Sequence, residues 1–317
     1  MKLDVWRNRM FDLSSSKIDK ICEEKYYDLI IDKRSKKGIK WLETLCQLNF
    51  GKTFKQIVLM EPEKIPKFVT DFDTNEDKEL IIDAFKSIIL RADQKTNYIV
   101  DTLYKDMCFE ARKQIYEIAN AKTCPYCNRN YIDVIDGDEY HSTFELDHFY
   151  SKDKYPMLAV SLYNLIPVCP SCNRIKGNKV FQYYPYDSKR DMSNGMRFSC
   201  KCPEILLNEE EIELDIEYDN KDLEEESQKL YLKELYSNHK DIAAEIVQKS
   251  RYQGTGYMDG LYKQLGSLFS SKEEVYRMVY GNYLNKEDWS KRPLSKFTYD
   301  IAKEVLEKSR IDIDDFK

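Results

Sequence analysis

The residues with the most specific chemistry lie between positions 124 and 179. Two Cys-x-x-Cys pairs, Cys124-Pro-Tyr-Cys127 and Cys169-Pro-Ser-Cys172, enclose an Asp147-His148 dipeptide. Each pair places two thiolates on one tight turn, and two such turns provide the four sulfur ligands of a closed, structural zinc site. The spacing therefore predicts a Zn²⁺ site formed by all four cysteines. It disfavours a redox role, because no strand-to-helix redox setting surrounds either pair.

Asp147 and His148 form a potential hydrolytic pair. A carboxylate is a preferred ligand of a hard cation such as Mg²⁺, and the pKa of imidazole suits general-base catalysis near neutral pH. Adjacent residues of a regular strand point to opposite faces. Both side chains can therefore serve one site only if the strand ends or bulges there.

Two asparagines and a basic segment follow this pair. Asn164 precedes a short extended segment, and Asn173 lies directly after the second cysteine pair, on the first turn of a predicted short helix. Lone asparagines are most often turn or cap residues. Basic side chains beyond Asn173 are predicted to bind phosphate: Arg174, Lys176 and Lys179.

The ordered motifs CPYC, LDHF, YNLIPVC and PSCNRIKG resemble the HNH endonucleases, whose core is a ββα-metal fold. The resemblance covers about residues 121–182. It implies that Asp147 is a metal ligand, that His148 is the general base and that Asn164 helps to fix His148. Asn173 stands where many members have a second histidine, so the chain is an H-N-N variant. An amide oxygen there favours catalytic Mg²⁺ or Mn²⁺ over Zn²⁺ or Ni²⁺.

The implied reaction is metal-dependent hydrolysis of a phosphodiester in DNA, most simply double-stranded DNA. The central motif and the helical additions are also similar to the HNH subunit of Septu-type bacterial anti-phage defence systems, which implies an ABC- or SMC-like ATPase partner. Two alternatives stay open: a zinc-stabilised module that binds nucleic acid or protein without catalysis, and a nuclease directed at RNA.

Other candidate residues carry weaker signals. Glu145 shares a strand face with Asp147 and is a possible accessory ligand, and His141 lies in the same predicted strand. His239 lies on an apolar helical stripe and is interpreted as a packing residue. Cys200-Lys-Cys202 is a weak metal motif.

Hydrophobic periodicity predicts the elements around the motif. Helical spacing covers residues 77–91 and about 97–119, and a long helix is predicted from 223, followed by three shorter ones. Alternation predicts a β-hairpin with strands at 131–135 and 140–146, turning at Asp136-Gly-Asp138. Residues 170–179 are predicted to form a short helix, with Pro170 near its first turn and Gly177 near its end.

Composition restricts the class of protein. The 317 residues are 42% hydrophobic and 13% aromatic, which is typical of a globular rather than a disordered chain. Residues 203–231 contain 12 acidic and 2 basic side chains and have a net charge of −10. Because the whole chain has a net charge of −6, the remaining residues together carry about +4. A nucleic-acid surface is therefore possible outside this segment. The segment itself is interpreted as a solvated face, with nucleic-acid mimicry as the alternative.

The predicted fold is mainly α with a small α+β core. An HNH module at 121–190 is expected between an N-terminal helical region, 1–120, and a C-terminal part, 191–317, in which an acidic segment precedes helices. The first residues lack the apolar core of a signal peptide, and no apolar run reaches the length of a membrane span. A cytoplasmic location without membrane contact is therefore expected, where cysteine pairs indicate metal rather than disulfides.

Overall fold

The computed structural model describes residues 20–91, 94–136, 141–187, 192–203, 206, 208–252 and 255–308. Over these residues the fold is mainly helical, with two-stranded antiparallel sheets, as predicted. No helix in these ranges combines the length and the apolar character needed to cross a bilayer. The chain divides into two compact units, which we describe one at a time.

One unit comprises Ser16–Asn120 and Ile132–Asp187 and contains the Asp-His motif. Its helices and first strands are α1 (Lys20–Ile31), α2 (Lys36–Phe50), α3 (Phe54–Val58), α4 (Ile65–Asp73), α5 (Lys78–Lys86), β1 (Ile88–Arg91), β2 (Gln94–Thr96), a π-helix (Tyr98–Tyr104) and α6 (Phe109–Ala119). The apolar faces of these helices form the core, in which Tyr26, Phe54 and Phe85 are fully buried.

The central part of this unit forms two separate two-stranded sheets and a short helix. Its elements are β3 (Val134–Ile135), β4 (His141–Ser142), β5 (Glu145–His148), β6 (Leu165–Val168) and α7 (Pro170–Lys176). β6 is a short apolar run with all four residues buried, and it pairs with β5 in antiparallel register. Pro170 opens α7 and Gly177, with φ of 49°, ends it, as predicted. The left-handed φ is the conformation that favours glycine.

Several predicted elements differ from those observed. The predicted helix over 77–91 ends at Lys86, because Ile88 and Ile89 are β-branched residues that favour the strand pairing with β2. The helix predicted over about 97–119 is divided into the π-helix and α6. The predicted hairpin is shorter: β3 pairs with β4, whereas β5 pairs with β6. Gly137 and Asp138 of its turn lie outside the described residues.

The second unit comprises the described parts of Ala121–Tyr131 and Ser188–Lys317. Its elements are α8 (Met192–Gly195), β7 (Met196–Lys201), β8 (Glu213–Tyr218), α9 (Lys221–Lys229), α10 (Leu232–Ser237), α11 (Lys240–Tyr252), α12 (Thr255–Leu265), α13 (Lys272–Tyr280) and α14 (Ser295–Lys308). The long helix predicted from 223 is thus three helices, with Tyr231 in a left-handed conformation between the first two. Three helices, α12, α13 and α14, follow as predicted, but α14, with 14 residues, is longer than α11, which has 13.

The acidic segment contributes a strand of this unit. β8 pairs with β7 along its whole length, and its residues alternate between more and less exposed positions. Basic side chains lie beside its carboxylates, with Arg197 2.6 Å from Glu217 and Lys233 2.8 Å from Asp215. These local ion pairs favour the interpretation as a solvated face. The sequence boundaries at 120 and 190 stay predictions.

Candidate metal and catalytic site

The four paired cysteines form one cluster. Sγ atoms of Cys124, Cys127, Cys169 and Cys172 all lie within 4.8 Å of one another, and all four residues are buried. A tetrahedral zinc ion with Zn–S bonds of about 2.3 Å requires sulfur atoms roughly 3.8 Å apart. Donor type, number and spacing therefore fit one such ion. Among the residues that the structure describes, no other group of three or more potential ligands converges in this way.

Both cysteine pairs lie on tight backbone turns. In the first, the amides of Cys127 and Asn128 donate to the carbonyl of Cys124 at 3.3 and 2.8 Å, and the amide of Arg129 donates to Sγ of Cys127 at 3.4 Å. In the second, Cys169 is the extended N-cap residue of α7, so that Cys172 falls in its first turn. The sequence spacing is thus converted into convergent sulfur atoms by a turn and by a helix start.

Asn128 anchors the first turn, and sequence reasoning missed it. The residue is fully buried and has φ of 47°, which asparagine tolerates better than most residues. Its amide nitrogen donates to Oγ1 of Thr123 and the carbonyl of Trp289 at 2.8 and 3.0 Å. Its amide oxygen accepts from the backbone of Ser295 at 3.1 Å. An asparagine directly after a Cys-x-x-Cys pair was the available signal.

Asp147 and His148 occupy the end of β5, as the chemistry requires. The strand finishes at His148, where regular alternation stops, and both side chains are buried. The Asp147 carboxylate accepts from Nζ of Lys176 at 3.1 Å. The same ammonium group donates to the backbone carbonyl of His148 at 2.9 Å.

The imidazole of His148 is fixed by one hydrogen bond and one ring contact. Nε2 lies 2.9 Å from the carbonyl oxygen of Ala159, and the ring centroid lies 4.4 Å from that of Tyr104. Because a carbonyl oxygen only accepts, Nε2 carries the proton and Nδ1 keeps its lone pair. Burial, opposed by the hydrogen bond to Ala159 and assisted by the positive charges of Lys152 and Lys176, lowers the pKa of His148 to about 3. The ring is therefore neutral at pH 7.

Asn164 uses its whole side chain on the backbone of the loop after His148. Its amide oxygen accepts from the Tyr150 amide at 2.8 Å, and its amide nitrogen donates to the carbonyls of Tyr150 and Leu158 at 3.0 Å each. Ala159, the partner of His148, directly follows Leu158. Asn164 thus holds the loop that holds the imidazole.

Asn173 and Lys176 lie one helical turn apart on α7 and face two carboxylates of β5. Nδ2 of Asn173 donates to Oε2 of Glu145 at 2.6 Å, while Lys176 contacts Asp147. Glu145 and Asp147 are two residues apart and share one face of β5, as Asn173 and Lys176, three residues apart, share one face of α7. Asp147 is buried, whereas Glu145 is exposed and Asn173 is half-buried, so the site opens toward Glu145.

The remaining candidates are distributed as follows. Arg174 and Lys179 are exposed, but Lys176 is buried and its ammonium group is directed at Asp147, not at solvent. His141 is exposed in β4. His239 accepts from Nε of Arg129 at 2.9 Å and packs against Tyr236 and Phe297, consistent with the packing role predicted for it. Cys200 and Cys202 do not belong to the four-sulfur cluster.

Comparisons with known proteins agree with this geometry. The model of the HNH endonuclease family matches residues 124–179. Septu protein PtuB of Bacillus thuringiensis is 36% identical over 77 residues, an alignment that spans about a quarter of each protein, 24% of this chain and 24% of the relative. No solved structure matches the chain. Residues 124–179 therefore match the HNH endonuclease family, within a longer, mainly helical chain that is similar in part to a Septu protein.

Proposed function

We propose that this protein is a metal-dependent endonuclease that hydrolyses phosphodiester bonds in DNA. The observation that supports this most is the end of β5, where a buried carboxylate and a neutral imidazole with a free Nδ1 lie on consecutive residues. The match of the HNH endonuclease family to the same segment supports the reaction class. A binding module without catalysis requires neither of these two groups, the carboxylate and the imidazole.

The donor atoms at the two sites suit different ions. The four thiolates suit structural Zn²⁺. Asp147 and Asn173 offer carboxylate and amide oxygens, the donors preferred by Mg²⁺ or Mn²⁺, and Glu145 lies beside Asn173 as a further carboxylate. The ion pair between the Asp147 carboxylate and the ammonium group of Lys176 supports a cation-binding role for this position. A divalent ion held by Asp147 and Asn173 would stabilise the charge that develops on the leaving 3′ oxygen.

The protein residues then perform the proton transfer and the positioning. Nδ1 of His148 accepts a proton from water, whose oxygen forms a bond to phosphorus while the bond from phosphorus to the 3′ oxygen breaks. Ala159 stabilises the protonated ring through its hydrogen bond to Nε2. Asn164 keeps Ala159 in place through the loop. Exposed Arg174 and Lys179 bind flanking phosphates of the substrate.

His148→Ala tests this function. With Mg²⁺ or Mn²⁺, we expect the wild type to cleave double-stranded DNA and the variant to be slower by about 10²–10⁴-fold, because the general base is lost. His141→Ala, which changes an exposed histidine of β4, is the matched control and should cleave normally. Zinc content and the far-UV circular dichroism spectrum should be unchanged in both variants.

Three outcomes contradict parts of this proposal. Equal cleavage by wild type and His148→Ala would exclude His148 as the base. Cleavage of RNA but not DNA, measured in parallel on matched strands, would change the substrate class. Nucleic-acid binding without cleavage under any divalent ion would favour the non-catalytic module.

We further propose that the protein acts in the cytoplasm as the nuclease of an anti-phage defence complex with an ABC- or SMC-like ATPase. The partial similarity to a Septu protein supports the defence role. The many helices outside the HNH domain provide surface for docking or restraining such a partner. Co-purification from the native host, described below, tests this assignment.

A further inference from the structure

Lys176 is among the largest fully buried side chains of the described residues, with 2% of its surface exposed. Its Nζ lies 3.1 Å from each oxygen of Asp147 and 2.9 Å from the carbonyl oxygen of His148. The ring of Phe181 covers it, with a centroid distance of 5.6 Å. An ammonium group has three protons, and these partners account for its hydrogen-bonding capacity.

This placement does not suit the phosphate contact predicted for Lys176. A phosphate-binding lysine needs an accessible ammonium group, and Lys179, three residues later, is exposed and meets that need. Lys176 instead connects the proposed metal ligand with the backbone of the proposed base. A purely structural ion pair is the competing interpretation, and the chain contains one for comparison: Lys296 and Asp300, both buried and 2.8 Å apart on α14.

We propose that Lys176 is a positioning residue that fixes the Asp147 carboxylate relative to His148 and competes with the divalent ion for that carboxylate. The proposal rests on the nuclease function proposed above. In the metal-free protein the ammonium group neutralises a buried carboxylate that would otherwise be costly. When a divalent ion binds, the same positive charge opposes it. Lys176 therefore lowers metal affinity while it secures the geometry needed for reaction.

Two opposite effects follow for Lys176→Met, which keeps the stem and removes the charge. Mn²⁺ should bind more tightly, by roughly tenfold or more, because a nearby positive charge is gone. The cleavage rate at saturating Mn²⁺ should fall by about 10²-fold. The positions of Asp147 and His148 would no longer be fixed relative to each other, and small displacements of reacting groups lower the rate strongly. A merely structural residue would not produce tighter metal binding with slower cleavage.

The experiment measures Mn²⁺ affinity by electron paramagnetic resonance on zinc-loaded, full-length protein without substrate. It adds thermal unfolding with and without Mn²⁺, DNA binding without added Mg²⁺ or Mn²⁺, and cleavage over a range of Mn²⁺ concentrations. Lys176→Met should unfold at a lower temperature without Mn²⁺ and regain part of the difference with it, since an ion that binds more tightly stabilises more.

Two controls separate the alternatives. Lys296→Met breaks the comparison pair and should lower the unfolding temperature without changing Mn²⁺ affinity or cleavage. Lys179→Met should weaken DNA binding in a salt-dependent manner and leave Mn²⁺ affinity unchanged. If Lys176→Met folds poorly, the double variant Asp147→Asn/Lys176→Met removes both charges, and recovery of its unfolding temperature relative to Lys176→Met supports the coupling.

The outcomes also distinguish this proposal from the function on which it rests. If Lys176→Met has wild-type Mn²⁺ affinity and cleavage, or behaves like Lys179→Met, the positioning role is overturned. The positioning role is also overturned if the double variant is less stable than Lys176→Met. If the wild type neither binds Mn²⁺ nor cleaves nucleic acid, the nuclease proposal fails first. If Lys176→Met binds Mn²⁺ more tightly but the wild type does not cleave, the competition of Lys176 with the ion for Asp147 is supported and the nuclease reaction is contradicted.

Discussion

A single amide side chain, that of Asn164, satisfies three backbone groups of the loop between β5 and β6. The loop includes Ala159, whose carbonyl oxygen fixes His148, so the influence on catalysis that we propose for Asn164 is indirect. Its side chain stabilises the loop through hydrogen bonds to the backbone and is not proposed to react with substrate. The asparagine side chain offers an acceptor and two donors, which match the amide of Tyr150 and the carbonyls of Tyr150 and Leu158.

Asn164→Ala should therefore reduce both stability and cleavage. The half-buried backbone groups of Tyr150 and the buried carbonyl of Leu158 would lose their partners, at a cost of roughly 2–4 kcal/mol in the free energy of unfolding. Urea denaturation measures this loss, and the cleavage assay should show a decrease because Ala159 shifts relative to His148. Asn178→Ala, at an exposed position after α7, should change neither quantity. Normal stability of Asn164→Ala would refute the role of the side chain in the loop.

At the residue scale, the chemistry was more predictable from sequence than the connections were. The four cysteines could be selected by residue type and spacing alone, whereas Asp147 and His148 were selected through the motifs that follow them. Lys176 was predicted as a phosphate ligand, because a lysine beside a binding motif has the right charge. Only the three-dimensional pairing of α7 with β5 reveals that its ammonium group is enclosed.

Among the elements, the first Cys-x-x-Cys turn depends on a segment much later in the chain. Asn128 and Thr123 bond to carbonyls of Trp289 and Ser290, and the amide of Leu294 donates to the carbonyl of Asn128 at 2.7 Å. Tyr236 adds a hydrogen bond from its hydroxyl to the carbonyl of Cys127 at 2.7 Å. The turn is thereby held from outside as well as by any ion that it binds.

Substitutions at Asn128 should accelerate loss of zinc. Elemental analysis of the wild type is expected to find about one zinc per chain. Release of zinc to a chromogenic chelator should be faster in Asn128→Gly, which loses the amide bonds but keeps the left-handed backbone. It should be faster still in Asn128→Ala, because a left-handed conformation costs an ordinary residue about 1 kcal/mol more.

Cys124→Ser provides the reference, since it removes a ligand outright and should lower both zinc content and solubility. Identical zinc release by wild type, Asn128→Gly and Asn128→Ala would exclude the anchor. A well-folded wild type that contains no zinc would instead refute the metal assignment itself.

The strands show where periodicity stops being informative. Residues 140–146 alternate, which predicted one strand. The contacts of β4 with the β3 side continue only as far as Thr143, which bonds to Asp133 through both its backbone and its hydroxyl. β5 then pairs with β6, about twenty residues later. Alternation identifies a strand, but it does not specify the partner, which here is set by the buried run of β6. α7, in contrast, was predicted closely, because Pro170 and Gly177 mark its ends.

For the molecule as a whole, the proposed partnership is the part that depends least on the described site. With His148→Ala as bait in the native host, we expect an ATPase of the ABC or SMC type to co-purify, because the substitution removes the base and leaves the surface intact. Mass spectrometry identifies the partner, and wild-type bait should recover the same protein. Absence of any ATPase from both preparations would contradict the proposed complex.

The hydrogen bonds that support the first cysteine turn can form only late in synthesis of the chain. Asn128 and Trp289 are separated by 161 residues, and Thr123 and Ser290 by 167. At typical rates of synthesis, a segment of that length takes on the order of ten seconds or more to emerge from the ribosome. The buried amide of Asn128 is thus satisfied only after a segment about 160 residues later has been synthesised. A chain released before that point contains the first cysteine pair without its native support.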